Sequence, residues 1–132
     1  MTLQYSTTMR NTWLDSFESV IGADAILEIR SGAAPADCAT ADSGTLLASM
    51  TLPSDWMSAA SSGSKSKSGV WSDASANASG TIGHFRIKNS AGSTVHTQGT
   101  AGTSGDLVTD SATTTAGQTV TVNTFTLTAP GA

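Results

Sequence analysis

The spacing of apolar residues changes character twice along this chain, and each change marks an element. Residues 1–11 (MTLQYSTTMRN) follow no period and read as an N-terminal arm, polar enough to become ordered only on contact. Over 12–22, Trp13, Leu14, Phe17, Val20 and Ile21 recur at helical spacing, which predicts a short amphipathic helix. Thr12 and Asp15 are placed as a short-armed capping box and Gly22 as the stop, giving about nine helical residues. The apolar stripe packs either on the domain's own sheet or on another subunit.

Beyond Gly22 the period falls to two. Ala25–Arg30 reads as a strand with Leu27 and Ile29 on one face. A loop follows over 32–44, then a second strand over Thr45–Leu52 with Leu46, Ala48, Met50 and Leu52 turned inward, ended by Pro53. The segment 54–68 carries Trp56 and SSGSKSKSG. It is a mobile loop, or an exposed edge that Lys65 and Lys67 defend against pairing. Val70 and Trp71 open a short strand. Over Ile82–Lys88, Phe85 and Ile87 face inward and His84, Arg86 and Lys88 outward. Asn89-Ser90-Ala91-Gly92 is a tight turn, so 93–97 pairs back as a hairpin, and 99–105 is a loop before a brief strand at Leu107-Val108. In Gln118–Ala129 the apolar parity switches from Val120 and Val122 to Phe125 and Leu127, and one extra residue near Asn123-Thr124, a β-bulge, restores both pairs to the core.

Seven or eight short strands with frequent turn signals define an all-β, antiparallel sandwich of jelly-roll-like character over 23–132, with one short N-terminal helix preceded by an arm. Composition adds that this fold is sparsely filled. Leu, Ile, Val and Phe make up 22 of 132 residues, while the net charge is only −4. The chain is therefore ordered but thinly cored, and oligomerisation or docking on a partner is expected to supply part of its stability.

Charge excludes some partners. The six basic residues, Arg10, Arg30, Lys65, Lys67, Arg86 and Lys88, are scattered through an acidic chain, which argues against a nucleic-acid grip. No apolar run is long enough to span a membrane, and the start lacks the apolar core of a signal peptide, so a cytoplasmic site of synthesis is expected. Cys38 is alone and forms no internal disulfide.

Candidate chemistry is thin as well. Glu18 and Glu28 are the only glutamates, and Asp37, Asp42, Asp73 and Asp110 sit in turn-like contexts, so no carboxylate pair is set for acid–base work. His84 and His96 face each other across the proposed hairpin but belong to no metal-binding array, and solvent-facing histidines account for them. There is no G-x-S-x-G elbow, P-loop or dinucleotide fingerprint. The reading is a non-enzyme with no metal and no cofactor. What remains is surface, for which Trp13, Trp56 and Trp71 are candidate anchors.

The blocks ILEIRSGAAP, TLLASMTLP, HFRIKNSAGSTV and AGQTVTVNTFTLTAPG resemble the small structural proteins of tailed phages that decorate and cement the head. The likeness covers roughly residues 24–130 and is one of overall pattern. It implies a jelly-roll-like sandwich on the exterior of the virion, bound to the major capsid protein at subunit junctions as a homo-dimer or homo-trimer. On that view Tyr5, Arg10, Trp13, Leu14 and Phe17 form part of the docking surface, with Trp56 and Trp71 as further anchors. A tail or fibre module that binds a host receptor or glycan is the alternative, and would use Trp56 and Trp71 as an aromatic platform.

Overall fold

Ser6, in extended conformation, begins the helix. Its Oγ accepts from the Met9 N–H at 3.2 Å, and helix α1 runs over Thr7–Ile21 in the computed structural model, which describes residues 3–132. Residues 1 and 2 of the expected arm lie outside the described residues. The helix thus starts six residues earlier than a cap at Thr12 suggested. Thr12 is an interior residue whose hydroxyl bonds back to the Thr8 carbonyl at 2.9 Å, and Asp15 is drawn away to the sheet. Gly22 ends the helix with φ +90°, its N–H donating to Glu18.

Most of the expected arm is therefore part of the fold. The Tyr5 N–H donates to the Gly131 carbonyl at 2.8 Å. Arg10, nearly buried, donates to the carbonyls of Ala129 (2.8 Å) and Pro130 (3.2 Å), so the first helical turn closes over the end of the last strand.

Among the described residues nine strands follow: β1 (Ile26–Ser31), β2 (Leu46–Thr51), β3 (Ser64–Ser66), β4 (Ser72–Asp73), β5 (Gly80–Lys88), β6 (Val95–Gly102), β7 (Leu107–Thr109), β8 (Thr113–Thr114) and β9 (Val120–Thr128). They form one curled sheet in the order β2-β1-β5-β6-β7-β9-β3, with β4 on β9 and β8 on β5. The class is all-β with one helix, and the sheet is a half-barrel whose pairings are antiparallel except for β6 with β7. That parallel contact needs the four residues between the strands to loop back and then resume the original direction, and Gly105 allows it. Its φ is +124°, and a Cβ there would meet Thr100 Oγ1 at 2.8 Å.

The concave side holds the core. Leu27, Ile29, Ala48, Met50, Leu52, Ile87, Val120 and Val122 surround a run of tilted aromatic rings. Trp56 lies 5.7 Å from Phe17 and 5.9 Å from Trp71, which is 5.7 Å from Phe125. Trp56 and Trp71 are 0% and 1% exposed, and their indole N–H groups are satisfied by the carbonyls of Gly22 and Ser68. Burial with satisfied donors makes them core residues, not surface anchors.

The bulge in β9 is where parity placed it: Val108 pairs with Thr124 and Thr109 with Val122, leaving Asn123 unpaired. A second bulge was not anticipated. Ile29 pairs with Ala48 and Arg30 with Leu46, so Leu47 is the extra residue and is buried in place of Leu46. β6 also continues through the expected loop to Gly102, and β8 was not anticipated.

Four outward-facing assignments are corrected by covering segments. Loop 32–44 folds over the convex face of β5, burying His84, Arg86 and Lys88. The contact is close, since a Cβ at Gly83 would meet the Gly32 carbonyl oxygen at 2.1 Å. His84 is in register with Thr100 while His96 is exposed, so the two histidines do not face each other. Lys65 is not a solvent-side guard. It is 3% exposed beneath α1, its Nζ donating to Asp15 Oδ1 and the Ser58 carbonyl, both at 2.8 Å.

Candidate functional site

Two regions stand out, one a buried cluster of charged side chains and the other an exposed apolar stripe. The first is built on the convex face of β1 and β5. Alternation puts Glu28 and Arg30 of β1 beside Arg86 and Lys88 of β5 on that face, and loop 32–44 brings Asp42 to them. Arg86 is 1% exposed and its guanidinium is fully engaged. It donates to Asp42 Oδ1 at 2.6 Å, Gln98 Oε1 at 3.0 Å and the carbonyls of Asp37, Cys38 and Thr40 at 2.9–3.2 Å. Lys88 bridges Asp42 (2.9 Å) and Glu28 (3.0 Å), and Arg30 does the same at 3.2 and 2.9 Å. Three cations and two carboxylates thereby staple the loop to the sheet.

Electrostatics holds this cluster in one ionisation state. The hydrogen bond from Lys88 depresses the Asp42 carboxyl to about 2, against a smaller opposing effect of burial and with help from Arg86 and Arg30. Burial works against the Lys88 ammonium, but its bonds to Asp42 and Glu28 outweigh that and raise its pKa. Neither group is poised to exchange a proton near neutral pH. An open cleft of about 600 Å³ lies beside them, between residues 38–42 and the turn at 92–95. Cys38 lines it as a free, half-buried thiol. Among the described residues no three His, Cys, Asp or Glu side chains gather to hold a metal ion.

The second region is the solvent side of α1. Met9, Trp13 and Val20 fall within about 40° of one another at 3.6 residues per turn, and are 46%, 40% and 68% exposed. Leu3 is exposed just ahead of them, and the Tyr5 ring meets Trp13 edge-on at 4.6 Å. Of the residues read as docking candidates, Tyr5 and Trp13 share this face. Leu14 is buried under the helix, Phe17 is half-buried against the core aromatics, and Arg10 points to the end of β9. Val20, already on the predicted apolar stripe, belongs to the exposed face, and so does Met9, which was missed because a helix begun at Thr12 leaves it in the arm.

The ionic cluster was also missed. Its visible signal was the alternation of His84, Arg86 and Lys88 opposite Glu28 and Arg30, but residues facing away from a core are ordinarily read as wet. Among the described residues no helix is long and apolar enough to cross a membrane. The fold places the chain among all-β proteins with a helix-closed half-barrel. Compared with known proteins, it matches no family model, no curated protein and no solved structure.

Proposed function

We propose that this protein is a phage virion component that binds the outside of the assembled capsid, through the major capsid protein, and stabilises it as a homo-dimer or homo-trimer. The observation that carries the reading is the apolar stripe of Met9, Trp13 and Val20, left in water on a helix firmly tied to its own sheet. A rigid element presenting an aromatic and two aliphatic side chains suits docking, because little entropy is lost on contact. The titratable cluster supports a structural role, since Asp42 and Lys88 are locked in their charged forms. The receptor- or glycan-binding alternative relied on Trp56 and Trp71 as an exposed platform, and their burial withdraws that support.

Purified protein mixed with emptied particles that lack it, and separately with host cells, tests the reading. Co-sedimentation with particles alone is expected. Retention on cells with none on particles would overturn it.

A further inference from the structure

The curled sheet has a gap where two strands run side by side with nothing between them. β7 lies between β6 and β9 only where Leu107 meets Ala101 and Phe125 and Val108 meets Gly102 and Thr124, with Thr109 reaching on to Val122. Before Leu107 the chain leaves the sheet, whereas β6 reaches back to Val95 and β9 runs on to Thr128. This leaves a slot of about 290 Å³ with Phe85 and Phe125 at its base, Thr97 and Gln98 on one wall and Thr126 and Leu127 on the other. Asp106 closes one end.

Both walls offer backbone groups. The Thr100 N–H donates to Asp106 Oδ2 at 3.0 Å, so Thr100 turns its peptide groups away from β5. In an antiparallel ladder the direction alternates, and Gln98, opposite Arg86, therefore also turns its N–H and C=O into the slot. On β9 the Phe125 carbonyl accepts from Lys67 at 2.9 Å and the Ala129 N–H donates to Gly63 at 3.0 Å. Residues 125, 127 and 129 thus address β3, and Thr126 and Thr128 address the slot. The outer edges of the sheet are covered by contrast: Asn77 donates to the Leu47 carbonyl and Ser58 to that of Ser66.

Two facing rows of backbone donors and acceptors, about two strand spacings apart beside β7, are complementary to one strand with both of its edges free. The edge strand of a folded domain already has a neighbour on one side and does not fit between them, which excludes β2 or β3 of a second copy. The chain's own residues 3–6 are held by the Tyr5–Gly131 bond.

We infer that this slot takes up a single extended segment of about three residues, in line with β7, donated by an unfolded arm of the neighbouring coat subunit. The coat-subunit origin rests on the function proposed above. The segment carries no proline, because its N–H groups are needed, and presents a small uncharged side chain to Phe85 and Phe125, which offer a charge no partner.

Amide hydrogen exchange on the unaltered protein, free and bound to particles, tests this. The Gln98 and Thr126 amides are expected to exchange rapidly in the free protein and at least tenfold more slowly on the particle. Thr126→Pro, which removes the slot-facing donor, is expected to lower particle occupancy tenfold or more, while Thr126→Val, which keeps it, stays within twofold. Should the proline variant unfold on a thermal melt, the exchange measurement decides. Binding with both amides still rapid overturns the slot and leaves the functional reading standing; failure to bind particles overturns that reading and the coat-subunit occupant with it.

Discussion

Asp42 accepts from Arg86, Lys88 and Arg30 at 2.6, 2.9 and 3.2 Å, and its side chain is about one-third open to water. Its folded pKa of about 2 lies below the ordinary 3.8, so its stabilisation is complete above that value and is lost as the pH falls through about 2. Discounted for exposure, this is about 1–2 kcal/mol. Asp42→Asn removes the carboxylate but leaves Arg86 buried, and is expected to cost about 3 kcal/mol, roughly 10 °C in melting temperature. Denaturant melts from pH 7 down to pH 2 should show the variant's stability declining less steeply than the wild type's below pH 4; parallel curves would refute the assignment. Trp13 poses the opposite case. Tyr5 is its one aromatic neighbour among the described residues, so Trp13→Ala should cost about 1 kcal/mol of stability yet weaken binding to particles at least tenfold. Equal affinities by sedimentation would remove the helix stripe from the docking surface.

Helix α1 is an integral closing element, and its polar side shows why. Asn11 Oδ1 accepts from Gly63, Asp15 from Ala60 and Lys65, and Glu18 from Met57, while Arg10 grips the end of β9. Removing residues 1–11 takes away the Ser6 cap, Arg10 and Asn11 together, and should cost about 3–4 kcal/mol, with Arg10→Ala alone accounting for about 2. Thermal melts check both, and an undiminished melting temperature for the truncation would show that these contacts contribute nothing. The strands were legible in sequence where one face met the core and the other met water. The switch from Val122 to Phe125 located the β9 bulge for that reason, and Leu27 with Ile29 located β1. Legibility failed where a polar segment folded back over a polar face. Nothing in the alternation of Arg86 and Lys88 distinguishes a face wet by solvent from one covered by carbonyls of loop 32–44, and nothing in SKSKS signals that Lys65 points under a helix. The helix start was hidden because its first turn buries an arginine, not an aliphatic residue.

At the scale of the molecule, a sheet that stops at a half-barrel and a helix that keeps an apolar stripe in water leave surface that other chains can complete. If the partner is an assembled capsid, stabilisation follows from mass action. A ligand that binds only the assembled state favours it by about 2.7 kcal/mol per site at a free concentration one hundred times the dissociation constant, and a symmetric lattice repeats that gain at every equivalent site. Particles stripped of the protein should therefore rupture at a lower temperature than decorated ones, and adding the purified protein back should restore them. The same logic ties this outcome to Trp13. At equal concentration Trp13→Ala should restore less, but because its folded domain remains sound, raising its concentration tenfold or more should recover most of the deficit. Dye release from packaged DNA on heating measures both steps. Stripped and decorated particles rupturing together would end the clamping role, whereas a deficit that no concentration of Trp13→Ala repairs would mean that this side chain shapes the bound state itself, and not merely how much of it forms.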